Sequence, residues 1–214
     1  MTRKLREPIN AITHLSGAVF FFFGTIIMLA YQLTHGASAI KVSGAVIFGI
    51  SLVLLYLASG IYHSYNGKEQ VIKVLKKLDH SMIYVLIAGS YTPMCLQVLD
   101  GNRRIVILAI IWGIVIIGVA TKVLVQGIPR PVYTLFYLMM GWMVVFFIRD
   151  VYVGIPSGGF FLLALGGLLY TIGGVIYMIK KPNIGKQFGF HELFHVFILA
   201  GSFSHYMMTF LYLS

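Results

Sequence analysis

Charged side chains are scarce in this 214-residue sequence, where Asp, Glu, Lys and Arg together make up 10%. A typical soluble domain is about 25% charged overall, so an ordinary soluble fold is excluded. Cysteine is nearly absent: Cys95 stands alone inside an apolar segment, which rules out an intramolecular disulfide and leaves thiolate out of any metal site. The chain also has no low-complexity tract, no internal repeat and no polar linker, so nothing marks a domain boundary. Acidic residues number six against sixteen Lys and Arg, for a net charge of +10. The cations sit between apolar blocks and not along one face, which reads as membrane topology and not as a nucleic-acid surface.

Hydrophobic residues make up 59% of the chain, gathered in stretches of about twenty, enough to cross a hydrocarbon core of roughly 30 Å at about 1.5 Å per residue. The spacing predicts helices over 11–33, 42–63, 80–98, 105–125, 132–149, 159–180 and 191–213, and so a single all-α bundle of seven transmembrane helices over 1–214. The run Leu15–Leu33 is longer than a signal-peptide core, so cleavage at Ala37-Ser38-Ala39 is not expected. Twelve of the Lys and Arg fall on the N-terminal side of the bundle, against Lys41, Arg103, Arg104 and Arg149 opposite. By the positive-inside rule the N-terminus is cytoplasmic and, after seven spans, the C-terminus lies outside.

Between the second and third blocks, Val71, Ile72, Val74, Leu75 and Leu78 alternate with Lys68, Lys73, Lys76 and Lys77 at helical spacing. This segment reads either as an amphipathic helix lying on the cytoplasmic leaflet or as a solvated basic loop. Pro93 should kink or unwind the third helix. The glycines Gly159, Gly166, Gly167, Gly173 and Gly174 of the sixth helix read as close-packing positions.

Ionisable side chains inside hydrocarbon are expensive, so the few present are candidates for function. Ser59 and His63 stand four residues apart, as do His191 and His195, so each pair shares a helical face. The second helix ends at His63, while the third and seventh begin near Asp79 and His191, which puts all five residues at one depth. Three imidazoles with a position left open form the ligand set of a catalytic zinc site, whose bound water has a pKa near 7. Asp79 is then placed to hold that water or take its proton, and Ser59 to donate a hydrogen bond to a developing oxyanion. The alternative is a hydrogen-bonded polar cluster without metal. His191-Glu192-Leu193-Phe194-His195 also matches H-E-x-x-H, with Glu192 as a candidate general base. His14 is a candidate second-shell partner, His80 projects about 100° away from Asp79, and His35 lies at the other end. His205, about 21 Å beyond His191 along the helix, is too far to join the ligands.

Ser59-x-x-x-His63, Leu78-Asp79-His80 with the following Ala88-Gly89-Ser90-Tyr91-Thr92-Pro93, and His191-x-x-x-His195 give the chain its resemblance, over nearly its whole length, to the hemolysin III proteins, bacterial relatives of the progestin and adiponectin receptor (PAQR) family. The resemblance implies a multi-pass protein of the bacterial plasma membrane with an inner-side zinc held by three histidines, with the aspartate and serine beside it. Those roles fall on His63, His191, His195, Asp79 and Ser59. Receptor members are associated with hydrolysis of lipid amides such as ceramide, and bacterial members with membrane lipid homeostasis and, by name, haemolysis. Three functions follow as expectations: a zinc-dependent hydrolase of a membrane-lipid amide or ester, a non-enzymatic sensor of membrane composition with a structural zinc, and a pore-forming haemolysin. Membrane lipids are the expected partners.

Overall fold

The computed structural model describes residues 5–185 and 188–214. Arg3, Lys4 and Lys186, three of the cations counted above, lie outside them. Among the described residues there are eight α-helices, one 3-10 stretch and no strand.

Local chemistry explains where the helices begin. α1 (Pro8–Thr34) opens on a proline, whose fixed φ and missing N–H suit a first turn. α2 (Ala39–Ser64) is entered through Ser38, whose hydroxyl accepts the Lys41 N–H at 3.5 Å. α3 (Glu69–Val98) runs for 30 residues, about 45 Å at the standard rise, and is longer than a bilayer core. The amphipathic segment Glu69–Leu78 forms its first turns, with no break that would let it lie along a surface, and Lys73 pairs with Glu69 at 2.9 Å. Lysine interrupts hydropathy without interrupting a helix. The helix also continues through Pro93 without unwinding, and the Thr92 hydroxyl donates to the Ala88 carbonyl in that turn.

α4 (Gly101–Leu124) follows, entered at a glycine with φ of 54°. The next span is composite: α5 (Arg130–Gly141), a 3-10 stretch at Trp142–Phe147, and α6 (Ile148–Gly154). α7 (Ser157–Ile179) ends at Lys180 in the left-handed region, and α8 (Phe190–Tyr212) closes the chain. Counting the composite as one, seven helices are long and apolar enough to cross a membrane. This is a seven-helix membrane bundle, and the chain is a multi-pass membrane protein.

The surface supports the same conclusion. Phe22, Phe23, Ile116 and Ile117 point outward, and Phe146 is 85% exposed, an arrangement that only lipid favours. One buried cluster packs α1, α2 and α8 around Phe21, Phe48, Leu52 and Tyr56. A second packs α3, α4 and the composite span around Tyr91, Cys95, Ile111 and Met140. Close approaches rely on glycine: a Cβ at Gly89 would overlap Ser51, and one at Gly49 would overlap Thr25. On α7, Gly159, Gly166, Gly173 and Gly174 face Tyr212, His205, Phe197 and Leu138, whereas Gly167 has nothing within 4 Å of its Cβ position and borders a cavity.

Candidate metal centre

α2 descends to His63, α8 begins at Phe190, and α3 carries Asp79 ten residues past its start at Glu69, so the end of α2, the start of α8 and the body of α3 meet toward the N-terminal end of the bundle. The four-residue steps turn Ser59 and His63, and His191 and His195, toward one point. His63, His191 and His195 each offer a ring nitrogen, and these atoms all lie within 4.8 Å of one another. Ring centroids stand 5.1 Å apart for His63 and His191, 4.9 Å for His63 and His195, and 4.9 Å for His191 and His195. His63 and His195 are each 1% exposed.

The hydrogen bonds of these rings suit a metal. His63 Nδ1 meets a Glu7 carboxylate oxygen at 2.6 Å, while its Nε2 is buried and has no partner. A ring whose one nitrogen bonds a carboxylate presents the other as a lone pair, the usual arrangement behind a metal ligand. His195 Nδ1 is likewise buried without a partner. A hydrogen-bonded polar cluster would consume these atoms, whereas a divalent cation accepts them. The group comprises three imidazoles, and Asp79 is not among the atoms that converge to 4.8 Å. Asp79 is buried nearby, and Ser59 lines the same end of the cavity. His80 comes to 4.0 Å of the Asp79 carboxylate but turns its ring toward Tyr133, with centroids 5.3 Å apart.

Sequence reasoning missed the N-terminal strap. The Glu7 N–H donates to the His63 carbonyl at 3.0 Å, and its carboxylate takes bonds from His63, Arg6 and Asn10. Partial burial pushes the Glu7 carboxyl pKa up, but the bond and charge of His63, with Arg6 alongside, outweigh it and hold the group at about 2. Asn10 Nδ2 also donates to Glu192 at 2.8 Å, tying α1 to α8. The signal was available: Glu7, Asn10 and His14 recur at intervals of three and four, one face of a helix, at the start of an otherwise apolar run. His14, expected from the sequence to support the ligands, stacks on His195 with centroids 3.6 Å apart and planes 10° from parallel.

Glu192, the candidate base of H-E-x-x-H, has its hydrogen bonds at the start of α8. Its carboxylate caps α8, accepting the Gly189 N–H at 2.8 Å beside the Asn10 bond, and so helps place His191 and His195.

From this cluster a cavity of about 420 Å³ runs into the bundle. Ser59, Asp79, His191 and His195 line its polar end, and Ile87, Met94, Leu138, Val145, Phe160 and Leu163 are among its apolar walls. At its far end the 3-10 stretch leaves backbone groups outside the helical ladder, and the Tyr91 hydroxyl answers two of them, donating to the Gly141 carbonyl and accepting the Val144 N–H at 2.9 Å.

The sequence profile described as haemolysin-III related matches residues 2–206. Hemolysin-3 of Bacillus cereus is 37% identical over 203 residues, covering 94% of this chain and 90% of that protein. The hemolysin-3 homolog of Bacillus subtilis (strain 168) is 34% identical over 206 residues, covering 96% and 93%. More distant is progestin and adipoQ receptor-like protein 1 of Caenorhabditis elegans, 27% identical over 222 residues, covering 94% of this chain and 50% of that protein.

Proposed function

The chain belongs to the haemolysin-III related family, and on that footing we propose that it is a zinc-dependent hydrolase of a lipid amide or ester, acting in membrane lipid homeostasis with its site on the cytoplasmic side. The observation that carries this reading is the junction of two features: three converging imidazoles, of which His63 and His195 hold buried nitrogens without a partner, and an apolar cavity that starts at them. A water-soluble substrate has no use for such walls, while an acyl chain fills them and brings its carbonyl to the polar end.

His63, His191 and His195 would hold the ion, and their donor set suits zinc. Bound by them, zinc would supply Lewis acidity, able to polarise a carbonyl and to make water a nucleophile at neutral pH. Glu7 holds the proton on His63 Nδ1 and so keeps Nε2 free for ligation. The Asp79 carboxylate, buried and outside the ligand cluster, orients the attacking water and accepts its proton. The Ser59 hydroxyl, at the cavity wall beside Asp79, donates to the oxygen that gains charge as the carbonyl carbon becomes tetrahedral. The apolar walls exclude bulk water from this step.

One observation favours a second reading, a sensor with a structural ion: the candidate ligands join α2 to α8 where Glu7 and Asn10 already tie α1 to both. Purified protein incubated with fluorescent ceramide and phospholipid analogues separates the two. The hydrolase releases labelled fatty acid and loses that activity in Asp79→Asn with zinc retained; a sensor releases none, and zinc removal only lowers its thermal midpoint.

A further inference from the structure

Two cations at the N-terminal end of the bundle belong to no part of the mechanism above. Lys122, in the last turn of α4, holds its Nζ 3.6 Å from the centroid of the Tyr133 ring. Arg130, the first residue of α5, holds its guanidinium 4.4 Å from the centroid of Tyr177 and 5.2 Å from that of Phe190. Both side chains are half-buried, and the hydroxyls of the two tyrosines meet at 3.3 Å.

These two differ from other cations of that end. Lys68, Lys76 and Lys181 are exposed, and Arg6, which also covers a ring, pairs with Glu7 at 3.1 Å. Among the described residues no carboxylate pairs with Lys122 or Arg130. Glu69 pairs with Lys73, Asp100 with Arg104, Asp150 with Arg103 and Glu7 with His63, Glu192 caps α8, and the ion-pair neighbour of Asp79 is His80. A ring face attracts a cation without neutralising it, and leaves the N–H groups at its edge able to donate. The one protein acceptor that Arg130 meets is the Tyr177 carbonyl, at 3.5 Å.

The pair also stands beside the polar end of the cavity. Tyr177 lines that cavity and its ring lies 5.6 Å from His191, so a single aromatic ring separates the Arg130 guanidinium from a candidate ligand. Tyr133 stands in the same way between Lys122 and His80, another lining residue, with centroids 5.3 Å apart. His191 is half-buried, so this end is not sealed from the side on which Arg130 stands. An acyl lipid with its carbonyl at the imidazoles leaves its headgroup near both cations. In a phosphoglyceride the phosphorus lies roughly 6–8 Å from the acyl carbonyl carbons, about the step past one ring. The guanidinium fork suits two phosphate oxygens, and the ammonium a third.

We infer that Lys122 and Arg130 form a phosphate site at the mouth of the cavity, and that the lipid it admits is a phosphoglyceride, an acyl ester, and not a lipid amide without phosphate. The inference rests on the part of the proposed function in which the cavity takes an acyl chain with its carbonyl at the imidazoles, and not on the metal chemistry.

The test is displacement of a fluorescent fatty acid from purified full-length protein in nonionic detergent by phosphatidylglycerol, by diacylglycerol with the same chains and by ceramide. Phosphatidylglycerol is expected to bind about 10- to 100-fold tighter than the other two, the size of one or two hydrogen bonds to a charged group. In Lys122→Gln/Arg130→Gln that preference falls to within about threefold, while diacylglycerol binding is unchanged. Lys68→Gln/Lys181→Gln removes the same charge from the same end and keeps the preference. Equal binding of phosphatidylglycerol and diacylglycerol by the unsubstituted protein overturns the site, as does a preference that survives in the first double variant. An equal loss in both double variants also overturns it, by assigning the preference to the general positive charge of that end. Inorganic phosphate at millimolar concentration should leave phosphatidylglycerol bound; displacement by it would assign the pair to free phosphate and overturn the lipid. Should the first double variant fail to fold, Lys122→Gln and Arg130→Gln are each expected to lose part of the preference, and full retention in both overturns the site. Failure of the fatty acid itself to bind removes the acyl chain from the proposed function, so the two failures are distinguishable.

Discussion

The two sides of the cavity are built differently. On one side α1, α2 and α8 are unbroken helices of 27, 26 and 23 residues, sharing a buried core and approaching closely at glycines such as Gly49. On the other, the fifth span changes from α-helix to 3-10 and back between Gly141 and Ile148, with Phe146 turned outward. The rigid side carries all three imidazoles and the Glu7 strap. The irregular side contributes apolar wall. Metal ligation tolerates little displacement, whereas a cavity for a flexible chain does not need a straight helix. The division of labour follows from what each chemistry demands.

Substitutions test that contrast, beginning with the largest effect. His63→Ala removes a ligand from the rigid side and should abolish stoichiometric zinc and reduce lipid hydrolysis to background, read by elemental analysis and fatty-acid release. Glu7→Gln leaves the ligands but weakens the carboxylate behind His63, and metal affinity should fall about 10- to 100-fold in a chelator competition. Gly49→Ala forces a methyl into Thr25 where α2 meets α1, and should cost about 1–3 kcal/mol, seen as a lowered thermal midpoint. Tyr91→Phe strips the Gly141 carbonyl and Val144 N–H of their shared partner and should cost about 1–2 kcal/mol while leaving zinc content unchanged. Gly141→Ala, whose Cβ position has nothing within 4 Å, should change stability by less than about 1 kcal/mol. If Gly141→Ala proved as damaging as Gly49→Ala, the contrast between the two sides would fail.

Much of this was legible in the residues. Apolar blocks announced seven spans, because a bilayer imposes both length and composition. The i, i+4 pairs Ser59–His63 and His191–His195 announced convergence, because a helix puts such residues on one face and an odd–even topology puts the two helix ends at one depth. Three features escaped for separate physical reasons. The continuity of the amphipathic segment with α3 was hidden because its lysines lower hydropathy while keeping helix propensity. The 3-10 stretch has no local cause in Trp142–Phe147; its freed backbone groups are met by Tyr91, at separations of 50 and 53 positions. Glu7 and Asn10 were masked by the basic start of the chain, and only the packing of α1 against α2 and α8 shows their partners to be His63 and Glu192. His205 was read correctly as too distant for the metal cluster, but spacing along one helix says nothing of the cavity that connects them.

The central claim is that His63, His191 and His195 bind one divalent ion together. The most direct measurement is elemental analysis of protein purified without chelators or added metal, beside a variant with all three changed to alanine and confirmed as folded by its helical circular dichroism. The account predicts stoichiometric zinc in the unsubstituted protein and none in the variant. Equal metal content in the two, or none in either, would contradict it.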